Sequence, residues 1–217
     1  MKYYTMRTRI LLLALAALLA LPTAQLASPA EARNRSRTVT RTYRNTERID
    51  VPIAANSPVS ASVYPSRIAV SGLKGKIRDV NLRLNRLSHT NAEEVQVLLV
   101  APSGQTAMVM AYVGGGFSAS DVTVTIDDEA GAPLPDDEAL QSGAFQPLNG
   151  DGGQIVFNAP APSASANVDL SVFDGASPTG TWRLYVQDGS GKFNSGSFTD
   201  GWELKITARV KANKKKR

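Results

Sequence analysis

Two tryptophan-headed stretches constrain this chain more than any other feature. In TWRLYVQD (181–188), Trp182, Leu184 and Val186 alternate with Arg183, Tyr185 and Gln187. In WELKITA (202–208), Trp202, Leu204 and Ile206 alternate with Glu203, Lys205 and Thr207. Successive side chains of a strand point to opposite faces, so each stretch presents one apolar stripe and one polar stripe. Both tryptophans are therefore expected in a core with their indole N–H groups hydrogen-bonded, while the alternate residues face water.

The same period recurs elsewhere. DVNLRLNRL (79–87) sets Val80, Leu82 and Leu84 against Asp79, Asn81 and Arg83, and DVTVTI (121–126) alternates likewise. VQVLLV (95–100) is apolar on both faces and reads as a central strand. It stops at APSG, where Pro102 and Gly104 supply a turn, and TAMVMAYV (106–113) follows as its hairpin partner. VDLSVF (168–173) reads as a further strand, and PDDEALQSG (135–143) as a single helical turn. No stretch has the period of a convincing amphipathic helix, so the fold class is all-β, a sandwich. Residues 127–166, rich in Pro, Ala, Gly and acids, are long for a connection in a compact domain; such a segment is either functional or loosely ordered.

The ends read differently from the middle. Lys2, Arg7 and Arg9 precede the apolar run ILLLALAALLAL (10–21), and AEA (30–32) follows small residues. This is the layout of a secretory signal peptide over 1–32, cleaved after Ala32 or alternatively after Ala27, and the run is too short to span a bilayer. The expected location is secreted, extracellular or periplasmic, with no transmembrane segment after signal removal. RNRSRTVTRTYRNTER (33–48) holds six arginines and is expected to be a basic flexible arm, and VKANKKKR (210–217) a matching basic tail. Either end is suited to touching an anionic surface. Between them the body, 49–209, holds ten bases against seventeen acids, so the overall pI of 9.6 belongs to the ends. An acidic body argues against nucleic acid as the partner. From 87 through 182 there is no Lys or Arg but there are twelve acids, a stretch that invites a cation or a basic partner. With no cysteine the chain forms no disulfide and no thiolate metal site, and one histidine argues against zinc.

LSHTNAEEVQVLLVAPSGQT (87–106), GTWRLYVQD (180–188) and GSFTDGWELKI (196–206) together resemble the P domain, also called the P/Homo B domain. That domain follows the catalytic domain in kexin- and furin-like subtilisin-type proprotein convertases. VTVTIDDEA (122–130), LPDD (134–137), SGAFQP (142–147) and LSVFDGASPTGTW (170–182) look like blocks of its bacterial secreted versions. The resemblance spans roughly 60–207. It implies a jelly-roll β-sandwich, galactose-binding-domain-like, that is non-catalytic, packs against a protease and supports that protease's folding and its calcium and pH response. Glu94 departs from the pattern, standing where an aspartate is common.

A Ser-His-Asp site would have to recruit His89, which sits at the mouth of a strand with no Gly-x-Ser-x-Gly elbow in the chain. None of the subtilisin-like blocks is present either. His89 and Thr90 are better read as organisers of a turn, and the chain as no enzyme. Asp127, Asp128, Asp136 and Asp137 offer carboxylate pairs for glycoside hydrolysis, but adjacent acids on a strand point apart. Calcium suits the chain better, with Asp127, Asp128, Asp174 and Asp188 as candidate ligands and Glu129 and Asp200 beside them. DGSGKFNSGSFTD (188–200) lacks EF-hand spacing, since Ser190 and Lys192 fill ligand slots. VGGGF (113–117) lacks the Lys-Ser/Thr of a phosphate loop and reads as a turn. Carbohydrate binding needs exposed aromatics, and only Tyr112, Phe117, Phe145 and Phe193 lie near expected loops. The expected function is a secreted, non-catalytic P-domain-like module that binds or stabilises a protein partner. The alternatives are an accessory domain acting in trans on a subtilisin-like serine protease, and a carbohydrate or surface-adhesion module.

Overall fold

Strands of period two must each bury one face, and the thirteen strands among the described residues do so by forming two sheets around a shared core. The computed structural model describes residues 36–53, 58–165, 167–190 and 194–211. The signal segment with both cleavage positions, Lys192, Phe193 and the tail beyond Lys211 therefore lie outside the described residues.

The first sheet is built on the long strand β5 (Lys76–His89). On one side β5 pairs with β13 (Trp202–Lys211), which pairs with β1 (Ser36–Asn45). Further along the same side it pairs with β12 (Gly196–Phe198), which pairs with β2 (Ile49–Val51). On its other side lie β8 (Ala119–Ile126) and then β9 (Gly143–Phe145). The second sheet runs β10 (Leu148–Asn149), β7 (Thr106–Ala111), β6 (Val95–Val100) and β11 (Gly180–Asp188), with β3 (Val59–Ser60) and β4 (Ser66–Val70) sharing the far side of β11. The pairs β8–β9 and β7–β10 are parallel, and the others are antiparallel.

Both tryptophans are fully buried between the sheets. Trp182 donates its indole N–H to the Pro178 carbonyl oxygen at 3.0 Å and meets Phe173 edge-on, with ring centroids 5.0 Å apart. Trp202 donates to Ser66 Oγ at 2.9 Å. They act as pegs of the sandwich, as the alternation predicts. In β5 the inward set is Ile77, Val80, Leu82, Leu84, Leu87 and His89. Its period of two slips twice, at register shifts opposite Thr207/Ala208 and between Leu84 and Leu87. The second slip contains Arg86 at φ 52°, a left-handed residue of the kind a β-bulge uses. The shifts leave Asp79, Asn81, Arg83 and Asn85 in one row on the outer face.

The polar stripe of β11 is not wet. Tyr185 is 4% exposed and Gln187 is 0% exposed, because residues 154–165 lie across the outer face of the second sheet. Ile155, Phe157 and Ala164 close there on Leu98, Val100, Met108, Ala111 and Tyr185 as a second apolar cluster. Gln187 Nε2 donates to Gln96 Oε1 at 2.8 Å and to the Val156 carbonyl at 3.1 Å, fastening the cover. This also accounts for the two-faced apolar character of β6. The segment 127–166 thus contributes β9, β10 and a lid of packed side chains.

Three other expectations change. The basic arm expected over 33–48 is, from Ser36 to Asn45, the edge strand β1, in register with β13 along its whole length. Val39 and Tyr43 pack against the core, and Tyr43 donates its hydroxyl proton to the Ser71 carbonyl at 2.9 Å. Two core-facing residues, Val39 and Tyr43, and pairing along the whole of β13 thus accompany an arginine-rich segment that reads as solvated. The strand expected over 168–173 is a 3-10 turn, Leu170–Phe173, which buries Leu170 and Phe173. The helical turn expected over 135–143 is a series of bends ending in β9.

Candidate functional site: the uncovered face of the first sheet

The second sheet has a covered outer face, whereas among the described residues the outer face of the first is open and polar. Cross-strand register builds it row by row: Arg44 of β1 faces Glu203 of β13, which faces Arg83 of β5, which faces Thr125 of β8. The next row runs Thr42, Lys205 and Asn81 toward Asp127, the residue after β8. Two adjoining cavities, of about 280 Å³ and about 470 Å³, share Arg44, Arg83 and Glu203 and make one groove. Arg44 Nε stands 3.3 Å from Glu203 Oε1, and Arg83 Nε donates to Asn85 Oδ1 at 3.0 Å. At the groove's end Arg86 Nε donates to Asp121 Oδ1 at 2.6 Å, and its Nη1 stands 3.6 Å from Asp200 Oδ2. Arg86 and Asp121 both have left-handed backbone, Asp121 at φ 55°.

Asp127 marks the groove's acidic corner. Ligand oxygens of Asp79, Asp127 and Glu129 all lie within 4.8 Å of one another. Asp127 Oδ1 also accepts the Glu129 backbone N–H at 3.0 Å. Burial holds the Asp79 carboxyl above the usual aspartate range; a Thr207 hydrogen bond opposes this, Asp127 and Asp174 add to it, and Lys205 pulls it back. Glu129 is also raised, first by its hydrogen bond with the Asp127 side chain and then by burial and the charges of Asp79 and Asp127.

The other expected calcium ligands go elsewhere. Asp128 turns away from Asp127, as neighbours at a strand end do, and accepts the backbone N–H groups of Leu170 at 3.0 Å and Ser171 at 2.7 Å. Asp174 ends the 3-10 turn and reaches the cluster only through its field on Asp79. Asp188 is buried at the end of β11, with Oδ2 3.5 Å from His89 Nε2 and Oδ1 accepting the Ser190 N–H at 2.9 Å. Sequence reasoning missed Asp79 and Asn81, which read only as the polar stripe of a strand. Their partner residue, Asp127, follows a strand far along the chain, and no local pattern reports that register.

His89 is 2% exposed. Its Nδ1 lies 2.7 Å from the Asn91 carbonyl oxygen and 3.2 Å from the Asn91 backbone nitrogen, so the ring is held against the turn that follows β5. Thr90 bonds to Asn194 and Ser195, and Glu94, 5% exposed, accepts from Asn91 Nδ2 at 2.9 Å and Asn194 Nδ2 at 2.8 Å. The His-Thr turn is thus tied to the chain before β12, with Glu94 as the clamp between them. A relay histidine must be open to a hydroxyl nucleophile and to substrate; this ring is packed inside.

A second charged surface comes from the former arm. Arg37 and Arg41 of β1, with Lys74 and Lys211, line a cleft of about 490 Å³ whose lining among the described residues holds no acid. No helix among the described residues is long and apolar enough to cross a membrane.

The architecture is that of an all-β module of two packed sheets. No protein-family model matches the chain, and no curated protein matches it. Among solved structures, a serine protease of Aeromonas sobria is similar at 13% identity over 80% of this chain and 27% of that one, with a TM-score of 0.37. The complex of the Aeromonas sobria serine protease with its chaperone is similar at 14% identity over 83% of this chain and 29% of that one, with a TM-score of 0.39. This chain spans less than a third of the length of either matched chain. Superpositions this loose decide neither topology nor activity.

Proposed function

We propose that the chain is a secreted, non-catalytic P-domain-like jelly-roll module that binds and stabilises a protein partner through the open face of its first sheet. The observation that supports this most is the asymmetry of the two outer faces. One carries a packed apolar cover. The other is a groove of interleaved arginines, acids and amides with no aromatic among the described residues that line it. Alternating charge suits a protein surface of complementary charge. It suits neither a phosphate backbone, which needs an unbroken basic stripe, nor a sugar, which stacks on rings. The motif resemblance nominates a subtilisin-like serine protease as the partner, bound in trans.

The test is capture of a subtilisin-like protease from the same secretome, with the wild type against the double variant Arg44→Glu, Arg83→Glu. The wild type is expected to hold the protease and lengthen its half-life on heating. The variant, with two reversed charges in the centre of the groove, is expected to bind at least about tenfold more weakly. Equal binding by both proteins refutes the site, and peptide hydrolysis by the chain alone refutes the non-catalytic reading.

A further inference from the structure

We propose that Asp79, Asp127 and Glu129, completed by Asn81 Oδ1, bind a hard divalent cation, calcium, at the acidic corner of the groove. The geometry allows a single ion. Calcium holds its oxygens at up to about 2.6 Å, so two ligands of one ion stand at most about 5.2 Å apart. The three carboxylates meet that limit, with donor oxygens all within 4.8 Å of one another.

An independent observation comes from Asn81. Its side chain is nearly enclosed, 6% exposed, and its Oδ1 is buried with no hydrogen-bond partner. A buried amide oxygen left unmatched is costly, and native structures seldom tolerate one without a ligand or water. The register of β5 with β8 pairs Leu82 with Ile126, which sets Asn81 opposite Asp127. The two side chains line the same cavity. The unmatched amide thus belongs to a residue that borders the cavity beside Asp127, two residues along the strand from Asp79.

The charge balance points the same way. Of the three cations lining the cavity, Arg44 is engaged with Glu203 and Arg83 with Asn85, which leaves Lys205 against three carboxylates. All four donors are oxygens, and no imidazole or thiolate is among them, so the set selects a hard cation over zinc or copper. Glu129 is exposed and able to swing, which suits the variable coordination of calcium better than the strict octahedron of magnesium. An ion here would tie the chain leaving β8 to the middle of β5. The adjacent Asp128 already holds the 3-10 turn, so the same short stretch would fasten three parts of the fold.

The experiment is a calcium titration of the chelator-treated chain, read by calorimetry and by thermal unfolding, with Asp127→Asn and Glu129→Gln alongside. Wild type is expected to bind one calcium and to melt higher in millimolar calcium. Each variant is expected to lose at least about tenfold in affinity, since calcium affinity follows the count of charged ligands. Without calcium, Asp127→Asn is expected to melt no lower than wild type, because it removes like-charge repulsion and keeps the oxygen that accepts the Glu129 N–H. That result separates loss of a ligand from loss of the fold. A wild-type melting temperature unmoved by calcium overturns the proposal. So does equal affinity in wild type and Asp127→Asn, and magnesium acting as strongly as calcium overturns the choice of ion.

Discussion

Asp127 and Asp128 are neighbours in sequence with opposite roles, and Asp128→Asn tests the difference. The Asp128 carboxylate accepts two backbone N–H groups of the 3-10 turn, from Leu170 and Ser171. Leu170 is 1% exposed, so an orphaned N–H there has no easy access to water. A hydrogen bond to a charged group contributes about 1.5–3 kcal/mol, with the lower end fitting a partly exposed site. Asparagine keeps one acceptor oxygen and turns an NH2 toward the second N–H, so one bond is lost and the other loses its charge. The expected cost is about 2 kcal/mol. For a chain of this size that corresponds to a melting temperature lower by roughly 4–8 °C. Thermal and urea unfolding in chelator would measure it, and the loss should be the same with calcium added, since Asp128 faces the turn. A shift under about 1 °C, or a loss that calcium abolishes, would refute the assignment of Asp128 as a structural cap.

Two further outcomes follow from buried or crowded groups. Ser66→Ala removes the Oγ that accepts from both Trp202 Nε1 and Asn45 Nδ2, and leaves the indole N–H orphaned in the core. It should cost about 1–3 kcal/mol and alter the near-UV tryptophan signal; an unchanged midpoint would show that the indole needs no partner. For Asp79 the folded-state carboxyl lies above its unfolded value, chiefly through burial. Its contribution to stability is therefore complete below the ordinary aspartate range and is lost as pH rises through the raised folded value. In chelator, wild type should gain stability on acidification across that window, while Asp79→Asn should show a flatter profile and greater stability at neutral pH. A variant as pH-dependent as wild type would remove Asp79 as the source.

Much of this fold was legible before any coordinates. The stripes headed by Trp182 and Trp202, the alternation of 79–87 and 121–126 and the two-faced run 95–100 all became strands in the expected places, because the requirement to bury one face acts residue by residue. His89, the last residue of β5, and Thr90 hold the turn after that strand through hydrogen bonds to Asn91, Asn194 and Ser195. Local composition misled where burial was supplied from elsewhere. The arginines of 36–45 read as a solvated arm, yet ten backbone pairs to β13 hold them in a sheet. Tyr185 and Gln187 read as wet because the segment that covers them, 154–165, carries its apolar residues without periodicity.

The sequence by itself determined the class of fold, the core stripes and the crowding of acid between 87 and 182, since each depends on residue type and short-range spacing. Only the tertiary structure decided which acids meet. Asp128 and Asp188 were drawn into backbone and histidine contacts, while Asp79 and Asn81 were brought beside Asp127 by the pairing of β5 with β8, two strands separated by the β6–β7 hairpin. Register between distant strands is set by core packing and by the two bulges in β5, and no short stretch of sequence encodes it.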